Sequence, residues 1–368
     1  MFDGLSNIGL SKELTYTDVL LASIGNILGA GIYALLGKVA KYSQNMTWLS
    51  ILIAGFISLL TSKSYIGLAK ENEKNTSEHH IIKESFGGKT ANFTMGLSII
   101  SGFFLLLVVS IGFGNYAESL LKVPSIICSI GLILVTAYIN VVSIRKTANF
   151  NNVVTMIEII GLFIVVMVGI GNIKFADLIT PPKNCNGIFI GAFLIIFAFF
   201  GYETLVRYIE ETKDSKTIIP KAINNSLWFT MVLYLLVSMS AVSTVSWKKL
   251  AISKTPLSDV VAVLGYPWLF KLLSITAVFS TFNTYLMTLT SNSRIVHGLL
   301  KDTKIGKLLK LDYVGLQTRT PIGSIVFVTA MVTVLLLCHY GIETSSFIAN
   351  FGVVFTMLLV NLSFYLSK

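Results

Sequence analysis

Charge is scarce in this 368-residue sequence. Asp, Glu, Lys and Arg together make up 12% of it, against roughly 25% in a soluble domain. That is too little to cover a water-facing surface of this size. Cysteine is scarcer still. Cys128, Cys185 and Cys338 are scattered, which excludes a disulfide framework and a zinc site. No His/Cys/Asp cluster has metal spacing and no serine nucleophile motif lies at helix depth, so nothing points to an enzyme or to a cofactor. No ring-forming filter motif suggests a channel. The first fifteen residues are polar or mixed, and no cleavable signal peptide is expected.

What is present is apolar length. Hydrophobic residues make up 54% and the mean hydropathy is +0.77. A helix needs about 20 residues to cross the hydrocarbon layer. Ten segments qualify: 16–37, 46–69, 91–119, 123–143, 150–171, 186–209, 222–246, 266–296, 321–340 and 345–367. The runs are too long for barrel strands and do not alternate. The expectation is an all-α integral membrane protein in a lipid bilayer.

The net charge of +10 does not call for nucleic acid, because Lys and Arg sit in the connections between apolar runs. With the amino terminus inside, 19 of the 28 basic residues fall on the cytoplasmic side and the other 9 outside. Ten spans then return the carboxyl terminus to the cytoplasm. Residues 1–15 form a cytoplasmic lead.

No Lys or Arg falls in the middle of a span. Glu158 in helix 5 and Glu203 in helix 6 do. A carboxylate at bilayer depth is costly, so each is expected to face a cavity or a partner. A protonated carboxyl bonded within the bundle is the structural alternative.

Two spans carry glycine where a helix should run on. Helix 1 reads Ile27-Leu28-Gly29-Ala30-Gly31-Ile32-Tyr33, and helix 6 reads Phe197-Ala198-Phe199-Phe200-Gly201-Tyr202-Glu203. Close helix contact is one explanation of Gly25 and Gly29. Gly31 and Gly201, however, occupy corresponding places in two five-helix halves, 16–171 and 186–368. Paired interruptions of this kind point to a midplane site in inverted-repeat transporters. Opened backbone at that depth must be satisfied. A zwitterion does this: its carboxylate accepts from amides at the start of one half-helix, and its ammonium donates to carbonyls freed at the end of another.

At these residues the sequence resembles the amino acid–polyamine–organocation superfamily of permeases, over nearly the whole chain. Gly29-Ala30-Gly31-Ile32-Tyr33 is similar to the family's first-helix motif. Phe197 to Glu203, then Glu210-Glu211 and Ile219-Pro220-Lys221-Ala222-Ile223, is similar to its long sixth-helix signature. Tyr65 with Leu68-Ala69, Ile139-Asn140, Ser280-Thr281-Phe282-Asn283 with Ser293-Arg294, and Thr320-Pro321 add matches in helices 2, 4, 8 and 9.

The resemblance implies a bundle of two inverted five-helix repeats with helices 1 and 6 broken, working by alternating access on an amino acid or amine. Polyamine transport and a non-transporting amino-acid sensor are the alternatives. It implies that amides around Gly29, Ala30, Gly31 and Ile32 hold the substrate carboxylate. The carbonyls of Ile27, Phe197, Ala198 and Phe200, beside Gly201, hold the ammonium, and Phe199 or Phe200 closes over it. Glu210 and Glu211, with Asp214 among Arg207, Lys213 and Lys216, form either an inner gate that pairs with Arg294 or a solvated charge cluster.

Four departures stand out. Gly67 replaces a glutamate, Ser215 a proline, and Glu158 a lysine usual in relatives. Many relatives have twelve spans. A carboxylate at position 158 carries a proton, or holds Na+ with Ser280 and Thr281. Which amino acid is carried, the coupling ion, uptake against exchange and the oligomeric state are not legible. Of the smaller features, His79 and His80 read as loop residues, and 250–265 as a short amphipathic helix on the outer surface. Asn45-Met46-Thr47 is a weak glycosylation match.

Overall fold

The computed structural model describes residues 14–71, 78–142, 147–315, 318 and 320–366. Ten long helical elements follow the ten apolar runs. They are α1 (Tyr16–Ser43), α2 (Thr47–Glu71), α3 (Glu78–Leu121), α4 (Ser125–Val142), α5 (Thr147–Ile170), the two-part α6 (Asn186–Ile195, a 3-10 turn Ile196–Phe199, then Tyr202–Glu211), α7 (Ser215–Thr244), α8 (Pro267–Leu300), α9 (Ile322–Leu337) and α10 (Ile342–Leu366). Among the described residues, eight stretches are long and apolar enough to cross a membrane. The first, Tyr16–Lys70, contains both α1 and α2. The 16-residue α9 falls below that length threshold. Hydrocarbon offers no partner to N–H and C=O groups, so the chain satisfies them within helices.

The helix starts obey local chemistry. Thr15 caps α1: its N–H and Oγ1 donate to Asp18 Oδ2 at 2.9 and 2.6 Å, and Asp18 N–H returns to Thr15 Oγ1. Asp18 is thus the third helical residue of a capping box, satisfying donors that no helix turn supplies. Pro267 opens α8, where a missing N–H costs nothing.

One expectation changes. The segment holding His79 and His80 is helical, not a loop, because α3 begins at Glu78 and bends at Gly87 (φ +82°). The region 250–265 is helical in two pieces, exposed at Ile252, Val263 and Leu264. It forms two short helices, Trp247–Ile252 and Pro256–Ala262. Leu250, Leu257, Val260 and Val261 are fully buried, and Gly37 of α1 lies so close to the Leu250 carbonyl that a Cβ would overlap it. Apolar residues on both short helices pack them against the bundle.

Candidate functional site

Both suspect helices break. In α1, Gly29 leaves helical geometry (φ −5°, ψ −160°). In α6, the 3-10 turn ends at Phe199, Phe200 is extended (φ −82°, ψ 162°), and Gly201 has φ +125°. That last angle lies where a side chain is strained, which is why glycine stands there.

The two breaks face each other. A Cβ on Gly31 would lie 2.7 Å from the Ala198 Cα. A Cβ on Gly201 would lie 2.5 Å from the Asn26 carbonyl oxygen. Asn26 and Gly31 flank the α1 break, and Ala198 and Gly201 flank the α6 break. The glycines set how closely two opened backbones approach. Gly25 and Gly29 serve close contact as well: a Cβ at Gly25 would overlap Thr155 of α5, and one at Gly29 would meet Thr284 Oγ1 of α8 at 2.6 Å.

Side chains then finish the exposed backbone. Ala30 N–H donates to Thr284 Oγ1 at 3.0 Å. Tyr234 of α7 donates its hydroxyl to the carbonyls of Leu28 at 2.9 Å and Ile27 at 3.2 Å. Across the gap, Gly201 N–H donates to Glu203 Oε2 at 2.7 Å, and Thr204 Oγ1 donates to the Gly201 carbonyl at 2.6 Å. Asn26 Nδ2 donates to Thr204 Oγ1 at 2.9 Å, joining the two helices. Phe197 O accepts from Phe200 N–H at 3.0 Å. Tyr234→Phe removes the donor shared by Ile27 and Leu28. Leaving a buried polar group unmade costs about 1–3 kcal/mol, so the purified variant is expected to unfold at a lower temperature in detergent than the wild type.

Several expected site residues come together here: Ile27, Gly29, Ala30, Gly31, Ile32, Phe197 and Ala198 are buried around the crossing. Phe199 is fully buried. Its ring meets Tyr234 edge-on at 5.4 Å and lies beside Gly55 of α2. Phe200 remains partly accessible at the break. Arg294 is exposed on α8. The side chains of Glu210 and Glu211 lie outside the described residues, so the gate pairing is not placed.

Glu158 is fully buried, as is Ser280, which stands beside it. Neither carboxylate oxygen, nor the Ser280 hydroxyl, completes a strict hydrogen bond. Thr281 bonds back to the carbonyls of its own helix at Ala277 and Val278, which leaves its oxygen lone pairs unspent. Gly67, the departure in α2, is covered by the ring of Phe364 from α10. An aromatic ring fills the place of an acidic side chain.

Asn26, Thr204, Tyr234 and Thr284 escape sequence reasoning. Thr284 had a signal, since it stands one turn beyond Ser280 on the same face of α8. Tyr234 had none, because its role depends on where α7 crosses α1.

A profile of the amino acid permease family matches residues 14–366. Branched-chain amino acid permease BcaP of Bacillus subtilis (strain 168) is 25% identical over 82% of this chain and 70% of its own length. Cationic amino acid transporter 3, mitochondrial, of Arabidopsis thaliana is 23% identical over 96% of this chain and 62% of its own length. Methylthioribose transporter of Bacillus subtilis (strain 168) is 23% identical over 80% and 68%. The chain therefore spans roughly two thirds of the length of these relatives.

Proposed function

The chain belongs to the amino acid permease family, and from that premise we propose that it is a secondary transporter moving an amino acid, or a closely related amine, by alternating access. One observation carries the reading: α1 and α6 open at the same depth and meet there, Gly31 against Ala198 and Gly201 against Asn26. A methyl group does not fit between Gly31 and Ala198. A bound zwitterion lies beside that contact, toward Phe200 and Asn26.

The substrate carboxylate takes the amides of Gly31 and Ile32 at the start of the second half of α1, where the helix dipole is positive. The Ala30 amide is engaged by Thr284 and positions that turn. The ammonium takes carbonyls at the end of the 3-10 turn, Ala198 and Phe200 foremost. Two five-helix repeats, 16–171 and 186–368, place these breaks symmetrically. The first half of α1 and the second half of α6 are tied twice, at Asn26–Thr204 and by the bridge Leu14–Thr212, so they swing as one unit. With the amino terminus cytoplasmic, that unit is the inner gate.

Counterflow in liposomes tests this, using labelled amino acids, polyamines and methylthioribose, with and without sodium and a pH gradient. Exchange of at least one amino acid is the expected result. Binding without flux would favour a sensor, and flux of only non-amino-acid substrates would overturn the substrate class.

Glu203 gives a narrower test. Gln at this position keeps an acceptor for Gly201 N–H and removes the charge, whereas Ala removes both. Glu203→Ala is expected to lose counterflow. Glu203→Gln is expected to retain it with a flattened pH dependence of uptake. An unchanged pH profile in the Gln variant would confine Glu203 to the cap.

A further inference from the structure

The connection between α8 and α9 is a built element with an unusual surface. After Leu300, one short helix, Lys304–Leu308, is capped by Thr303, whose hydroxyl accepts from Gly306 N–H at 2.9 Å. Gly306 presses against the Leu300 carbonyl and Gly323 against the Lys310 carbonyl, each too closely for a side chain. The Leu311 carbonyl accepts from His297 Nδ1 at 2.8 Å and from Ser324 Oγ at 3.2 Å. Both flanking spans therefore hold the backbone of this connection in place.

Its side chains nonetheless point outward. Leu308 is 82% exposed, Ile305 64% and Tyr313 57%. Among them stand Lys301, Lys304, Lys307 and Lys310, the last three exposed, against two aspartates, Asp302 and Asp312. Large apolar side chains held rigidly in the open mark a contact surface. Lysines spaced among them suit a surface that is apolar below and anionic above. The connection joins two membrane spans, so it lies at headgroup level, and by the alternation of spans it is on the same face as the amino terminus.

We infer that residues 301–313 form an interfacial anchor for anionic phospholipid. Ile305 and Leu308 enter the acyl boundary, and the lysines bind the headgroup phosphates. Lipid capture here is independent of what the protein carries. It fixes the foot of α8, whose other contacts include Thr284 at the α1 break.

The test uses the full-length protein in phosphatidylcholine bilayers with trace spin-labelled phosphatidylglycerol or phosphatidylcholine, reading the immobilised fraction of each. The expected preference for phosphatidylglycerol is at least about fivefold, the weight of a single lysine at an anionic surface. It falls as salt rises. The combined variant Lys304→Gln, Lys307→Gln, Lys310→Gln is expected to lose it, with immobilisation of labelled phosphatidylcholine unchanged as evidence of folding. Leu308→Ser is expected to weaken it with the charge intact. A preference retained in the lysine variant, or absent from the wild type at low salt, overturns the inference. Displacement by millimolar glycerol phosphate would also overturn it, by showing a site for free phosphate instead of lipid. If the lysine variant fails to fold, the salt titration on the wild type decides: a preference that persists in high salt defeats the anchor.

Discussion

Gly31→Val is expected to abolish transport and to weaken substrate binding by at least about a hundredfold. A Cβ at this position lies 2.7 Å from the Ala198 Cα, and still closer to the Ala198 methyl. A backbone atom cannot rotate away as the tip of a side chain can. Overpacking a tight contact costs about 1–3 kcal/mol even for a small insertion, and valine adds two methyl groups beyond Cβ. The cheapest relief is for α1 and α6 to part, which separates the amides from the carbonyls proposed to hold a single zwitterion. Equilibrium binding of a labelled substrate to purified protein measures the effect, with a monodisperse elution profile confirming the fold. Gly31→Ala should fall between wild type and valine. Adding Ala198→Gly to Gly31→Ala should restore part of the affinity, because it removes the nearer of the two clashing atoms. Normal affinity in Gly31→Val would refute the site.

The reason these glycines were legible in the sequence is also the reason their partners were not. A glycine inside a long apolar run is a local anomaly: it lowers helix propensity by about 1 kcal/mol and has no hydrophobic excuse. Two such anomalies at matching places identify a pair of breaks without any knowledge of packing. The ten helical elements were legible for a similar reason, since hydrocarbon length is a one-dimensional constraint. Tyr234, Thr284, Asn26 and Thr204 are different. Each is an ordinary polar residue that reaches a helix distant in sequence, up to 254 residues away for Ala30 and Thr284.

Glu158→Gln is expected to abolish concentrative uptake while leaving counterflow. The carboxyl is fully buried in α5, beside a buried Ser280 hydroxyl that also lacks a completed hydrogen bond. An ionised carboxylate in such a place needs a proton or a cation to accompany it. We propose on that ground that Glu158 is a coupling group, the ion that neutralises it travelling with the conformational change. Glutamine imitates the neutralised form in shape and hydrogen bonding but cannot release a proton or attract Na+. Exchange of substrate for substrate needs no net ion movement and should persist. Accumulation should not. A pH difference of one unit across the membrane is worth about 1.4 kcal/mol, so a proton-coupled wild type can build a gradient of about tenfold, and the variant should equilibrate near one. If Na+ is the ion, Ser280→Ala should raise the sodium concentration needed for half-maximal uptake. A proton-coupled protein should ignore sodium in both forms. Accumulation by Glu158→Gln equal to that of the wild type would remove the carboxyl from the coupling pathway and leave it as a packed, protonated side chain.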